Sequence, residues 1–121
     1  MSLRTASEEQ TYQDAKANRT TTPLELVTSL QMFNHWRIVN NDFGYGVAYK
    51  RSHMLVVKRA GAGTWHDLNA EEIKELNELK RTHLYDEYDQ IIENCPSRRS
   101  VQHIFHLHLL NFHDAREDMK L

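Results

Sequence analysis

Four histidines, His103, His106, His108 and His113, crowd into eleven residues near the end of the chain. Two of them stand two residues apart in the stretch Ser100-Val101-Gln102-His103-Ile104-Phe105-His106-Leu107-His108-Leu109-Leu110. The stretch reads as a strand, and strand side chains alternate between faces. His106 and His108 therefore share one face, in line with Ile104 and Leu110. Phe105, Leu107 and Leu109 form the other, apolar face. Residues two apart on a strand are separated by about 7 Å along the backbone. At that spacing one imidazole can attack an electrophile while the other donates a hydrogen bond to the charge that develops. Histidine suits both tasks because it titrates near neutrality. The same pair could instead ligate a metal. Further ligands are scarce, since Cys95 is the lone cysteine and neither CxxC nor HExxH occurs. A site built from His103, His106, His108 and His113 stays open. A regular strand, however, places His103 and His113 on the face opposite the pair unless a bulge intervenes.

The elements that must position this pair follow from the rest of the chain. At 121 residues the length suits a single domain. Fifteen Lys and Arg against seventeen Asp and Glu give a net charge of −2, which argues against a broad, nonspecific grip on nucleic acid. One cysteine excludes an intrachain disulfide framework and suits a reducing, cytoplasmic setting. No run of about 18 apolar residues is present, so no membrane-spanning helix is expected. The start of the chain lacks the order of a signal peptide.

Residues 1–22 are polar, with Ser7 and Gln10 spaced as a capping box. They either form a helix or stay mobile. The domain proper is expected over residues 23–121. Pro23 opens a short helix holding Leu24, Leu26, Val27 and Leu30. Trp36 to Val39, Val47 to Tyr49 and His53 to Val57 read as strands. The apolar run ending at Val57 predicts burial on both faces. Ala60 to Gly63 reads as a flexible loop. Asn69 and Glu72 cap the clearest helix, which carries Ile73, Leu76 and Leu79 at helical spacing. A strand follows over Tyr88 to Ile92, then a turn at Asn94 to Ser97. The last strand spans Ser100 to Asn111. Short links between strands, broken by one main helix, predict an α+β domain: an antiparallel sheet of about five strands with short N-terminal helices.

The ordered set of these segments resembles the histidine triad (HIT) superfamily, whose signature is His-x-His-x-His followed by two apolar residues on the last strand. HLHLL at 106–110 matches its second half. Asn41-Asp42-Phe43-Gly44-Tyr45 resembles the family's Asn-x-x-Phe-Pro-Tyr turn, with Gly44 in place of proline. His53-Met54-Leu55-Val56-Val57-Lys58-Arg59 resembles its His-x-Leu-Val-x-Pro-Lys strand, without the proline. The likeness runs from about Trp36 to His113.

The resemblance implies a nucleotide hydrolase or nucleotidyl transferase acting through a nucleotidyl-histidine intermediate. Its substrate would be a nucleoside phosphoramidate, polyphosphate or related conjugate. His106 matches the nucleophile and His108 the histidine that contacts phosphate oxygens. Asn94 and Ser100 match polar residues that hold phosphate. His53 matches a histidine bordering the pocket, while Asn41 and Phe43 would border base and ribose. A homodimer is implied, with no cofactor and no resident metal. The first triad position is Ile104, and His103 lies one residue early. Either a bulge returns His103 to the active face in a supporting role, or the first histidine is absent. In the second case a non-catalytic nucleotide-binding module is the alternative.

Overall fold

Segments rich in branched and aromatic residues pair into one antiparallel sheet. The computed structural model describes residues 5–17, 24–41, 49–98 and 101–113. Its strands are β1 (Ser29–Met32), β2 (Trp36–Asn40), β3 (Tyr49–Val57), β4 (Gln90–Ile92) and β5 (His106–Phe112), in the order β1-β2-β3-β5-β4. Helix α1 (Ala6–Ala17) precedes the sheet. Helix α2 (Ala70–Leu79) continues through a π-helical turn, Lys80–Leu84, into a last short turn, α3 (Tyr85–Glu87). The domain is thus α+β, with a five-stranded antiparallel sheet and one main helix.

The two central strands fix which side chains face which way. Val56 lies opposite His106, Met54 opposite His108 and Ser52 opposite Leu110. These residues share one face. Leu55 lies opposite Leu107 and His53 opposite Leu109, on the other. Trp36 and Ile38 join that second face through their pairing with Val57 and Leu55. There they form one buried cluster with Leu76, Leu79 and Leu84 from the helical segment and with Phe105. Burial of the run Leu55-Val56-Val57 on both faces is as the sequence predicts.

Helix α2 begins where its capping residues require. Asn69 Oδ1 accepts from the Glu72 amide at 2.9 Å, and Glu72 Oε1 accepts from the Asn69 amide at 2.8 Å. Glu72 is almost fully buried, and Arg59 compensates its charge with donors at 2.9 and 3.0 Å. The Trp36 indole N–H donates to the Glu72 carbonyl at 2.9 Å, which ties the helix start to the sheet. Farther along, the Glu75 carboxylate accepts from the amides of Asn34 and His35, closing the turn between β1 and β2.

Several expectations change. The helix expected after residue 23 is only a three-residue 3-10 turn, Leu24–Leu26, and Leu30 belongs to strand β1. The cause is Arg37. Its guanidinium takes the Leu24 carbonyl, the Val27 carbonyl at 2.5 Å and Ser29 Oγ at 3.2 Å. Those carbonyls are the acceptors a continuing helix would need. The cap of α1 is Thr5 with Glu8, two residues before the expected Ser7. Strand β5 starts at His106, not at Ser100, because the chain bends at His103 and Ile104. The Phe105 amide donates to the Ala62 carbonyl at 2.6 Å, and its carbonyl accepts from the Val57 amide at 3.2 Å. The glycine loop is therefore a packed contact. A Cβ on Gly63 would meet the Gln102 carbonyl oxygen at 2.6 Å, so only glycine lets the two loops approach this closely.

Replacing Glu72 by Ala is expected to lower stability by roughly 2–4 kcal/mol, from a lost cap and lost bonds to a cation. The guanidinium of Arg59 holds the Glu72 carboxyl below its ordinary range. Its stabilisation is therefore complete above the unfolded carboxyl's pKa of about 4.3 and is lost as pH falls through the lower folded value. Urea melts at neutral and acidic pH should show the wild-type advantage shrinking below about pH 4. An advantage that persists there would refute this account.

Candidate functional site

Strand β5 delivers the histidines together because it is regular from His106 onward. The two rings lie 5.3 Å apart between centroids with their planes at 73°. Each residue is only 5% exposed. His106 Nδ1 lies 3.1 Å from the carbonyl oxygen of Ile104. A carbonyl only accepts, so Nδ1 carries the proton in this bond. In the neutral ring, Nε2 then holds the unshared pair. A carbonyl on the proton-bearing nitrogen can also stabilise positive charge on the ring, as any bond formed through Nε2 would require.

Asn94 completes the group. Ile92 of edge strand β4 lies opposite His108, and Asn94 follows two residues later. Its amide Nδ2 is 3.2 Å from His108 Nε2, and as donor it fixes the ring's orientation. Three of the residues expected at the site are therefore brought together, with His108 touching both the His106 ring and the Asn94 amide. Asn41 belongs to the same face at its far end. Its Nδ2 donates to Ser52 Oγ at 3.2 Å, and Ser52 stands across from Leu110.

Two expected residues lie elsewhere. His53 projects on the opposite, helix-bearing face, since its register partner is Leu109 rather than His108. There its Nδ1 is 2.7 Å from the Tyr88 hydroxyl. Burial, aided by the Arg51 cation and opposed by Glu87, lowers its pKa. His103 sits exposed at the bend before β5, so no bulge brings it into line with His106 and His108. Ser100 and Phe43 lie outside the described residues.

Ile104 is buried among the core residues, and it serves His106 through its carbonyl rather than its side chain. That backbone contact carries no signal in residue types. Arg37 likewise has no signal in the sequence: its pairing with Val56 puts it on the histidine face, where it holds the segment from Leu24 to Ser29. Among the described residues, no group of three or more His, Cys, Asp or Glu is arranged to hold a metal ion, and no helix is long and apolar enough to cross a membrane. Comparison with protein families, curated proteins and solved structures gave no match.

The hydrogen-bond assignment predicts that neutral His106 is the tautomer protonated on Nδ1. Nitrogen-15 spectra of labelled imidazoles should show a pyrrole-like Nδ1 and a pyridine-like Nε2 for this ring. The Asn94→Leu variant should retain that pattern at His106 and alter the signals of His108. The reverse tautomer at His106 would overturn the assignment.

Proposed function

We propose that this chain is a HIT-like nucleotide hydrolase or nucleotidyl transferase with His106 as its nucleophile. The observation that carries the reading is the bond from His106 Nδ1 to the Ile104 carbonyl. It leaves Nε2 as the nucleophilic nitrogen and gives the ring a partner for the charge formed on attack. His108, whose Nε2 accepts from Asn94 and whose proton therefore lies on Nδ1, stands beside it, and that N–H is the group for a phosphoryl oxygen.

In the reaction proposed, Nε2 forms a bond to the nucleotide's phosphorus as the bond to the amine, phosphate or other leaving group breaks. The leaving group takes its proton from solvent, and the water or acceptor that attacks in the second step gives its proton back to solvent. Water, or an acceptor in the transferase case, then attacks the same phosphorus and releases Nε2. Phosphoryl chemistry of this kind depends on in-line placement and on donors to the equatorial oxygens, which neighbouring groups of one strand face supply. Nucleotide is the expected partner, and the homodimer is retained as part of the same reading.

A second reading has its own support. Both imidazoles are nearly covered, and the first triad position holds an apolar side chain. A HIT-like module that binds nucleotide without turnover would share this geometry.

A panel of nucleoside phosphoramidates and dinucleoside polyphosphates separates the two. The enzyme reading expects turnover by the wild type and a loss of about 10³-fold or more in His106→Ala, with a nucleotidyl adduct trapped on His106 after acid-free quenching. Calorimetric nucleotide binding, weakened by Asn94→Ala and without product, selects the binding module. Equal, background rates in wild type and variant together with no nucleotide binding would end both.

A further inference from the structure

On the helix-bearing face of the sheet, opposite His106 and His108, lies a half-open cavity of about 210 Å³. Leu30, Gln31 and Ile38 line it from β1 and β2, Arg51 and His53 from β3, and His83, Glu87 and Tyr88 from the helical segment. Its polar walls are held in place by pairs. His83 Nε2 donates to Gln31 Oε1 at 2.8 Å. His53 Nδ1 meets the Tyr88 hydroxyl at 2.7 Å. Arg51 donates through Nε to Asn111 at 2.6 Å and through Nη2 to the Glu87 carbonyl at 2.7 Å, while it stacks 4.8 Å above the Tyr88 ring. The π-helical turn Lys80–Leu84 supplies His83. Such turns cost regular hydrogen bonding and recur at functional sites.

The pairs leave specific capacity over. With Gln31 Oε1 and His83 Nε2 committed to each other, the Gln31 amide nitrogen remains a donor and His83 Nδ1 an acceptor. Arg51 Nη1 is a further donor and the second Glu87 carboxylate oxygen a further acceptor. Neither sign of charge dominates, because Arg51 Nη2 and Glu87 Oε2 are 3.4 Å apart. Leu30 offers apolar surface, with the buried Ile38 forming the floor behind it, and the edge-on rings of His53 and Tyr88 an aromatic wall. Mixed donors and acceptors around an apolar floor, without net charge, suit a flat polar molecule better than an ion.

We infer that this cavity binds a small neutral planar amide, an aromatic carboxamide or lactam, whose ring packs between Ile38, Leu30 and Tyr88 and whose N–H and C=O engage the Gln31–His83 pair. The volume admits one substituted six-membered ring. The site lies on the other side of the sheet from the histidine pair and does not depend on the chemistry proposed there.

Benzamide, 2-pyridone and benzoate, titrated into the full chain and followed by two-dimensional NMR, test the inference. Either amide should perturb the Gln31 side-chain amide, Ile38 and Tyr88 saturably, with a Kd of about 1 mM or tighter. Benzoate, the charged analogue of equal shape, should bind at least about tenfold more weakly. Gln31→Leu and the filling variant Leu30→Trp alter exposed residues, so both should fold and each should weaken the amide at least about tenfold. His106→Ala should bind it as the wild type does, which keeps this test apart from that of the catalytic reading. The inference is overturned if neither amide saturates these residues, if benzoate binds as tightly, if the shifts centre on His106 and His108, or if the Gln31 and Leu30 variants bind unchanged.

Discussion

Strand β5 is buried on both faces along its whole length and paired with β3 on one side and, over His108 to Leu110, with β4 on the other; the rest of the molecule depends on its register. One face of the strand is leucine and the other carries His106 and His108. A slip of one residue against β3 would turn the histidines into the helix-bearing core and the leucines onto the histidine face. Two devices prevent it. The Phe105 backbone is held between Ala62 and Val57 just before the strand, and Gly63 leaves room for that contact. The Asp89 carboxylate accepts from the Phe112 amide at the other end. The strand is pinned at both ends, so its alternation is a fixed coordinate for everything placed against it.

Capping and helix spacing were readable in the sequence because they are local. Asn69 and Glu72 announce the start of α2, and that helix begins there. Alternation placed His106 and His108 on one face, and they lie in ring contact. Failures arose where a distant side chain overruled the local pattern. The segment from Leu24 to Leu30 has helical spacing, yet Arg37 from another strand captures its carbonyls and the chain runs on as β1. The bend before β5 is likewise set by backbone contacts with the loop at Ala62, which residue types do not reveal.

The site was readable to the same degree. Asn94 joins the histidines because β4 pairs with β5 and carries it onto their face two residues beyond Ile92. His53 misses that face for an equally simple reason: its strand is regular from Arg51 onward, and its partner is Leu109. Sequence order can bring a motif to the right strand, but which face it meets is decided by pairing register. The cavity on the helix side had no sequence signal at all. It gathers residues from three strands and from a π-helical turn whose extra residue breaks the spacing that makes a helix recognisable.

Ile104 shows how a backbone group can orient a ring where a side chain was expected to do so. Its side chain is buried with Leu107, Phe105 and Trp36, where a histidine would need a hydrogen-bonding partner to offset its desolvation. The bend at 103–104 turns the backbone so that the Ile104 carbonyl, not its side chain, meets the His106 ring. A carbonyl cannot titrate, so it accepts from Nδ1 equally in the neutral ring and in the charged ring, where Nε2 is protonated as well. A histidine at this position would have added a third titratable ring to the pair. The apolar residue adds none, and His108 is the imidazole in ring contact with His106. Acid–base behaviour on this face then centres on two rings, each oriented by a group that does not itself titrate: the Ile104 carbonyl for one and the Asn94 amide for the other.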